Sequence, residues 1–116
     1  MKRIAWGITG SGDLIRETCD IMLDIKKRAD IELMTFLSKE GEVVLKWYKM
    51  WDDFKTNFPD LKTEGGPNSP FIAGPLQLGH YDMLIIAPTT ANTVAKIVYG
   101  IADTLVTNAV SQTAKG

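Results

Sequence analysis

Apolar residues run almost unbroken from Arg3 to Thr9 (RIAWGIT), and a Gly-Ser-Gly-Asp break follows at once. A short apolar run bounded by turn residues predicts a buried strand. From Asp13 onward Leu14, Ile15, Thr18, Cys19, Met22 and Ile25 recur at spacings of three and four, which is one face of a helix. Asp13 or Ser11 is placed to cap it. IELMTFL (Ile31 to Leu37) predicts a second strand, ended by Ser-Lys-Glu-Gly. Val44, Trp47, Tyr48, Trp51 and Phe54 then define a second helical face. Residues 58–75 are rich in proline and glycine and predict a long irregular connection. YDMLIIA (Tyr81 to Ala87) predicts a third strand and Asn92 to Ala102 a third helix, which runs on or restarts through Thr104 to Ala114.

Strands that alternate with helices imply parallel βαβ units with right-handed crossovers. Open parallel sheets bind ligands beyond the carboxyl ends of their strands. The three polar clusters (TGSG, SKEG and PTTANT) each follow a strand, so they are expected to meet at one edge of the sheet. Three strands make a thin sheet, and the final Lys115-Gly116 resembles a helix end that leads into another strand. The expectation is one domain over residues 1–116, either lacking a later C-terminal strand or completed by pairing across subunits.

Composition narrows the partners. Of the 116 residues 45% are hydrophobic and 23% charged, ordinary values for a globular chain. A net charge of -1 with interspersed signs offers no electrostatic footprint for nucleic acid or an anionic membrane. No apolar run approaches the roughly 18 residues that span a bilayer. The basic start (MKRIAWGITG) breaks at glycine too early for a secretory signal. Cys19 is the only cysteine, which excludes an internal disulfide and a clustered cysteine metal site. The expected compartment is the cytoplasm, and no metal ligand set is predicted.

Each strand-end cluster has a plain reading and a ligand reading. In GITGSGD, small residues between strand and helix let backbone N–H groups approach a phosphate, or simply make a tight turn. The G-x-G-x-x-G fingerprint is incomplete, with Ile15 at its third glycine, and the lysine of a P-loop is missing. In LSKEG, Ser38 and Lys39 suit a phosphate, while Glu40 occupies the region where dinucleotide binders hold a ribose hydroxyl. In PTTANT, Pro88 sets the exit angle, and Thr90 or Asn92 can cap the next helix. The cap accounts for one of Thr89, Thr90, Asn92 and Thr93. The surplus groups, able to donate and accept, suit a polyol chain or a heterocyclic edge. The aromatic face from Trp47 to Phe58 is expected to pack against the sheet or a neighbouring subunit, His80 to lie at the surface, and Cys19 to be buried and inert.

The segments GITGS, LSKEG and PTTANTVAKIVYGIADTLVTNAV, in this order, resemble the homo-oligomeric flavin-containing cysteine decarboxylases and their flavoprotein relatives. PTTANT is similar to that family's Pro-Ala-Ser-Ala-Asn-Thr motif. The resemblance implies a Rossmann-like (flavodoxin-like) three-layer αβα flavoprotein that binds FMN near a subunit interface, as a trimer or an assembly of trimers. Carried over, Gly10, Ser11 and Gly12 line the phosphate and ribityl region, and Ser38 and Lys39 assist the phosphate. Pro88, Thr89, Thr90, Asn92 and Thr93 border the flavin or ribityl chain. Ala109, Ser111 and Gln112 fall in the last flavin-proximal segment. The departures are informative. The decarboxylases' histidine, fourteen residues before the motif's proline, is replaced by Gly74, and His80 lies six residues beyond that position. The flavin prenyltransferases' arginine is replaced by Asn108, and their cysteine-serine pair by Thr89-Thr90. The archaeoflavoprotein and dihydromethanopterin reductase-like branch remains, with PFIAGPLQLG as a shared lead-in. It implies an electron-transfer oxidoreductase without a catalytic acid–base side chain. A ferredoxin-like or iron–sulfur flavoprotein would be the donor and a small pterin-like molecule the acceptor. A cysteine-type decarboxylase and a non-catalytic FMN-binding subunit are the alternatives.

Overall fold

The structure, a computed structural model, describes residues 2–63, 81–102, 106–107 and 109–110. Its elements run β1 (Lys2–Ile8), α1 (Ile15–Lys26), β2 (Ile31–Leu37), α2 (Lys39–Trp47), α3 (Trp51–Asn57), β3 (Lys62–Thr63), β4 (Met83–Ile86) and α4 (Ala91–Tyr99). Residues 106, 107, 109 and 110 are helical again. The strands form one parallel sheet in the order β3-β2-β1-β4. Lys2 to Ile8 pair in register with Ile31 to Leu37, and Ile4 to Gly7 with Met83 to Ile86.

The alternation of side chains along the strands feeds two clusters. On one face Trp6, Ile8 and Leu37 meet Ile15, Cys19 and Met22 of α1, Leu45 of α2, and Phe54 and Phe58. On the other, Ala5 and Phe36 pack with Ala109, flanked by Met34, Tyr81 and Leu84. Val106 covers this second face at Gly7, where an added Cβ would stand 2.8 Å from Ile86 Cδ1 and 3.4 Å from Val106 Cγ1. Each fully buried Ile, Leu or Met contributes about 1.5–3 kcal/mol through loss of hydrated apolar surface. The parallel α/β architecture expected from the alternating pattern is the one observed.

Several local expectations change. Among the described residues the sheet has four strands, because Lys62 and Thr63 pair beside Phe36 and Leu37 within the stretch expected to be irregular. The second helical face belongs to two helices. Lys49 takes a left-handed conformation (φ 58°), the Lys49 amide donates to the Lys46 carbonyl, and the Met50 amide donates to the Leu45 carbonyl at 2.8 Å. This is a Schellman closure, which also turns Met50 back against the core beside Leu45. The aromatic face is thereby divided: Phe54 and Phe58 are buried with ring centroids 4.8 Å apart, whereas Trp47 is 81% exposed. Neither Asp13 nor Ser11 caps α1, which starts from Leu14 at φ 60° without a side-chain cap. The helix expected over Asn92–Ala102 stops at Tyr99, where Gly100 (φ 73°) permits a second Schellman closure through Ile101 N–H to Lys96 O.

Candidate functional site

The strand order reverses between β1 and β4, since the chain adds β2 and β3 on one side of β1 and β4 on the other. In an open parallel sheet the loops leaving the strands diverge at such a point and open a crevice. A cleft of about 220 Å³ lies there, lined by Gly10 after β1, Ser38 and Glu40 after β2, and Thr90, Asn92, Thr93 and Lys96 after β4. All three polar clusters thus contribute to one site.

The loop after β4 is bound to the end of β1. The Trp6 indole N–H donates to the Ala87 carbonyl at 2.7 Å, and the Ala87 amide donates to the Gly7 carbonyl at 3.0 Å. Thr9, 1% exposed, donates through both its amide and Oγ1 to the Pro88 carbonyl, at 3.1 and 2.8 Å. Its Oγ1 also accepts from the Thr90 amide at 2.9 Å. The Ala87–Pro88 bond is cis.

These bonds separate structural side chains from available ones. Thr90 caps α4: its Oγ1 accepts from the Thr93 amide at 3.1 Å and donates to Thr93 Oγ1 at 2.9 Å. Thr93 Oγ1 therefore keeps its own proton for another acceptor. Thr89 Oγ1 reaches the Thr90 carbonyl only at 3.5 Å, the weak limit of a hydrogen bond. Ser38 caps α2 by accepting from the Gly41 amide at 3.0 Å, and its amide donates to the Ile8 carbonyl at 3.0 Å. Its hydroxyl proton is likewise uncommitted in that bond. The caps on α2 and α4 thus consume one side of Ser38 and the side chain of Thr90. The Asn92 amide, the Thr93 hydroxyl and the Ser38 proton remain on the cleft wall.

Gly10 owes its identity to close approach. An added Cβ would lie 2.6 Å from Glu40 Cβ, so the loop after β1 seats directly on the first turn of α2. Gly12 is similarly pressed by Tyr48 Oη at 2.8 Å from an added Cβ. Among the expected residues, Gly10, Ser38, Thr90, Asn92 and Thr93 share the cleft wall. Ser11, Gly12, Lys39, Pro88 and Thr89 border the same loops without lining it. Ala109 is fully buried against Ala5 and Phe36 in the second core cluster, which removes it from the cleft wall. Gly74, His80, Asn108, Ser111 and Gln112 lie outside the described residues. The sequence pattern marked Thr9 only as the end of a strand and did not single out Lys96. Lys96 follows Asn92 by four residues, a spacing that places both on one helix face and was available as a signal.

A second hollow, about 280 Å³, lies between α1 and α3 and includes Cys19, Asp20, Asp53 and Phe54. None of the strand-end residues reaches it. Burial, reinforced by Asp20, raises the Cys19 thiol from its ordinary 9.0 to about 11, so it is protonated and unreactive near neutrality, as expected.

A family model described as Flavoprotein matches residues 1–116. This chain belongs to the Flavoprotein family. It is 50% identical over 115 residues to an uncharacterized protein of Methanocaldococcus jannaschii, covering 99% of this chain and 62% of that one. It is 43% identical over 122 residues to the dihydromethanopterin reductase (acceptor) of the same organism, covering 98% of this chain and 49% of that one. Among solved structures it is similar to DmrB of Burkholderia xenovorans in complex with FMN, described as a cubic protein cage for redox transfer. That match has a TM-score of 0.81 at 36% identity, over 98% of this chain and 60% of DmrB. The chain therefore spans about half to three-fifths of the length of these relatives.

The flavoprotein cleft can be tested against FMN by its donor set. Hydroxyls, an amide, one ammonium and the Glu40 carboxylate line it, and no aromatic side chain stands on its wall among the described residues. Its volume is below the range of about 300–1,000 Å³ usual for complete small-molecule sites. Both features fit the polyol phosphate arm of FMN rather than its ring. No described helix is long and apolar enough to cross a membrane.

Proposed function

We propose that residues 1–116 form an FMN-binding domain of a flavin-dependent oxidoreductase that passes electrons to a small pterin-like acceptor such as dihydromethanopterin. The observation that carries the reading is the convergence of Ser38, Asn92 and Thr93 at the β1/β4 switch point, with donors left over after both helix caps are made. The relatives named dihydromethanopterin reductase and the FMN-bound DmrB support the same assignment. FMN, when bound, supplies the electron-accepting and electron-donating chemistry. The chain's own residues bind and orient its arm: Ser38 from the sheet side, Asn92 and Thr93 from the start of α4. Thr9 holds the loop after β4 to β1 and so sets the width of the crevice.

The proposal includes a ferredoxin-like or iron–sulfur flavoprotein donor, a cytoplasmic setting and a homo-oligomer built from trimers. The exposed apolar surface of α4 supports assembly: the helix buries none of its residues, and Val98 and Tyr99 are 73% and 80% exposed. Such a surface is characteristic of an interface.

Titration with FMN, followed by the visible flavin spectrum and by quenching of flavin fluorescence, tests the cofactor. Stopped-flow oxidation of the reduced holoprotein by a dihydropterin tests the acceptor. Saturable binding and pterin-dependent reoxidation are expected. A protein that ignores added FMN refutes the cofactor assignment. Turnover of a pantothenoylcysteine substrate would replace the oxidoreductase assignment by a decarboxylase.

A further inference from the structure

Cys19, Asp20 and Leu23 share one side of α1, and Asp53, Phe54 and Asn57 share one side of α3 at the same kind of helical spacing. A hollow of about 280 Å³ remains between the two sides. Its floor is apolar: Cys19, Phe54 and Phe58 are buried, and Leu23 and Met50 pack partly buried against the same core cluster. Its rim is acidic, with the exposed Asp20 on the α1 wall and the exposed Asp53 on the α3 wall. Neither carboxylate forms an ion pair among the described residues. Arg16, the cation at this rim, is engaged with α2: its guanidinium donates to the Tyr48 carbonyl at 3.0 Å and stands 6.0 Å from the centre of the Tyr48 ring. The Asp20 charge is felt on the floor, where it adds to burial in raising the Cys19 thiol.

Charge and shape together select the occupant. A carboxylate or phosphate would meet two like charges and find Arg16 already turned to Tyr48. A metal ion takes six or more oxygen ligands or keeps its water, and an apolar floor supplies neither. An ammonium group on an apolar body satisfies both halves, with the charge at the wet, acidic rim and the body on the floor. The volume lies just below the range of about 300–1,000 Å³ usual for small-molecule sites, which suits a single-ring compound. We propose that the hollow between α1 and α3 is a second binding site, for a small organic cation of the arylalkylamine class, its ammonium held by Asp20 and Asp53 and its apolar body against Leu23 and Phe54. None of its residues lines the flavin cleft, so the site stands independently of FMN.

Phenethylamine and its neutral isostere 2-phenylethanol separate the charge from the ring. Titration of the protein with each, with and without FMN, is read by backbone amide chemical shifts. The amine is expected to bind with a Kd on the order of 0.1–1 mM, modest as befits so small a ligand. It shifts the amides of Cys19, Leu23 and Phe54 and leaves those of Ser38 and Thr93 unmoved. D20N and D53N each lower amine affinity by about 2- to 5-fold, the range for one exposed ion pair. Both variants keep the wild-type affinity for the alcohol and for FMN, which reports an intact fold. The alcohol binds wild type about 4- to 25-fold more weakly than the amine, the product of the two aspartate effects. Added salt weakens the amine and not the alcohol. Equal affinity for amine and alcohol, an amine affinity untouched by both D20N and D53N, or shifts confined to the flavin cleft overturns the proposal. So does the absence of any amine-induced shift up to the solubility limit. Shifts of Cys19 and Phe54 that follow protein concentration in place of amine would assign the hollow to a second copy of the chain and overturn it equally.

Discussion

Replacing Thr9 by valine tests how the cleft is built. Valine matches threonine in shape, so little packing is lost, but Oγ1 is the acceptor of the Thr90 amide at 2.9 Å and a donor to Pro88 O at 2.8 Å. Pro88 O keeps the Thr9 amide at 3.1 Å and is not orphaned. The Thr90 N–H, held in a part-buried bond, loses its acceptor, and an unsatisfied donor of this kind costs about 1–3 kcal/mol. We expect T9V to lose about 2 kcal/mol, a fall in Tm on the order of 8 °C for a chain of this size. T9S keeps both bonds and sheds one methyl group, at a cost of about 0.8 kcal/mol. Urea unfolding of the three proteins gives the stabilities. Amide hydrogen exchange at Thr90 gives the local readout: protection is retained in T9S and lost in T9V. If T9V lies within about 0.5 kcal/mol of wild type, as an ordinary surface change does, and the Thr90 amide stays protected, the tether assigned to Thr9 is wrong.

Two further outcomes follow from the same geometry. Gly10→Ala pushes a Cβ to 2.6 Å from Glu40 Cβ, and is expected to cost about 1–3 kcal/mol and to weaken flavin binding by spreading the loop after β1 from α2; wild-type thermal stability and affinity in G10A would contradict the close contact. The Cys19 thiol, raised to about 11 in the folded chain, keeps its proton after the unfolded chain has lost its own. Stability from this group is therefore intact below about pH 9 and declines as pH rises from 9 toward 11, by on the order of 2–3 kcal/mol in total. The difference in urea stability between wild type and C19A should shrink across that window, and a difference that is independent of pH would refute the assignment.

Much of this chain was legible without coordinates. Apolar runs identified β1, β2 and β4, spacings of three and four identified α1 and the helices that follow β2 and β4, and the βαβ rule placed three polar clusters at one sheet edge. These are properties of local periodicity, which neighbouring residues set by themselves. The tertiary structure decided the rest. β3 is two residues long, too short for any alternation to show, and exists because Phe36 and Leu37 offer a parallel edge. The break at Lys49 interrupts a spacing that continues on both sides, and packing of Met50 beside Leu45 accompanies the left-handed residue that closes α2. Either Thr90 or Asn92 was able to cap α4 by type; the tether through Thr9 accompanies the choice of Thr90 and leaves Asn92 for the cleft. Lys96 and Glu40 line one cleft, and Ala109 joins the opposite core, because strand order brings distant loops together. Hydrophobic pattern records which side of its own element a residue occupies, but the neighbour it meets across a crevice depends on how the elements are assembled.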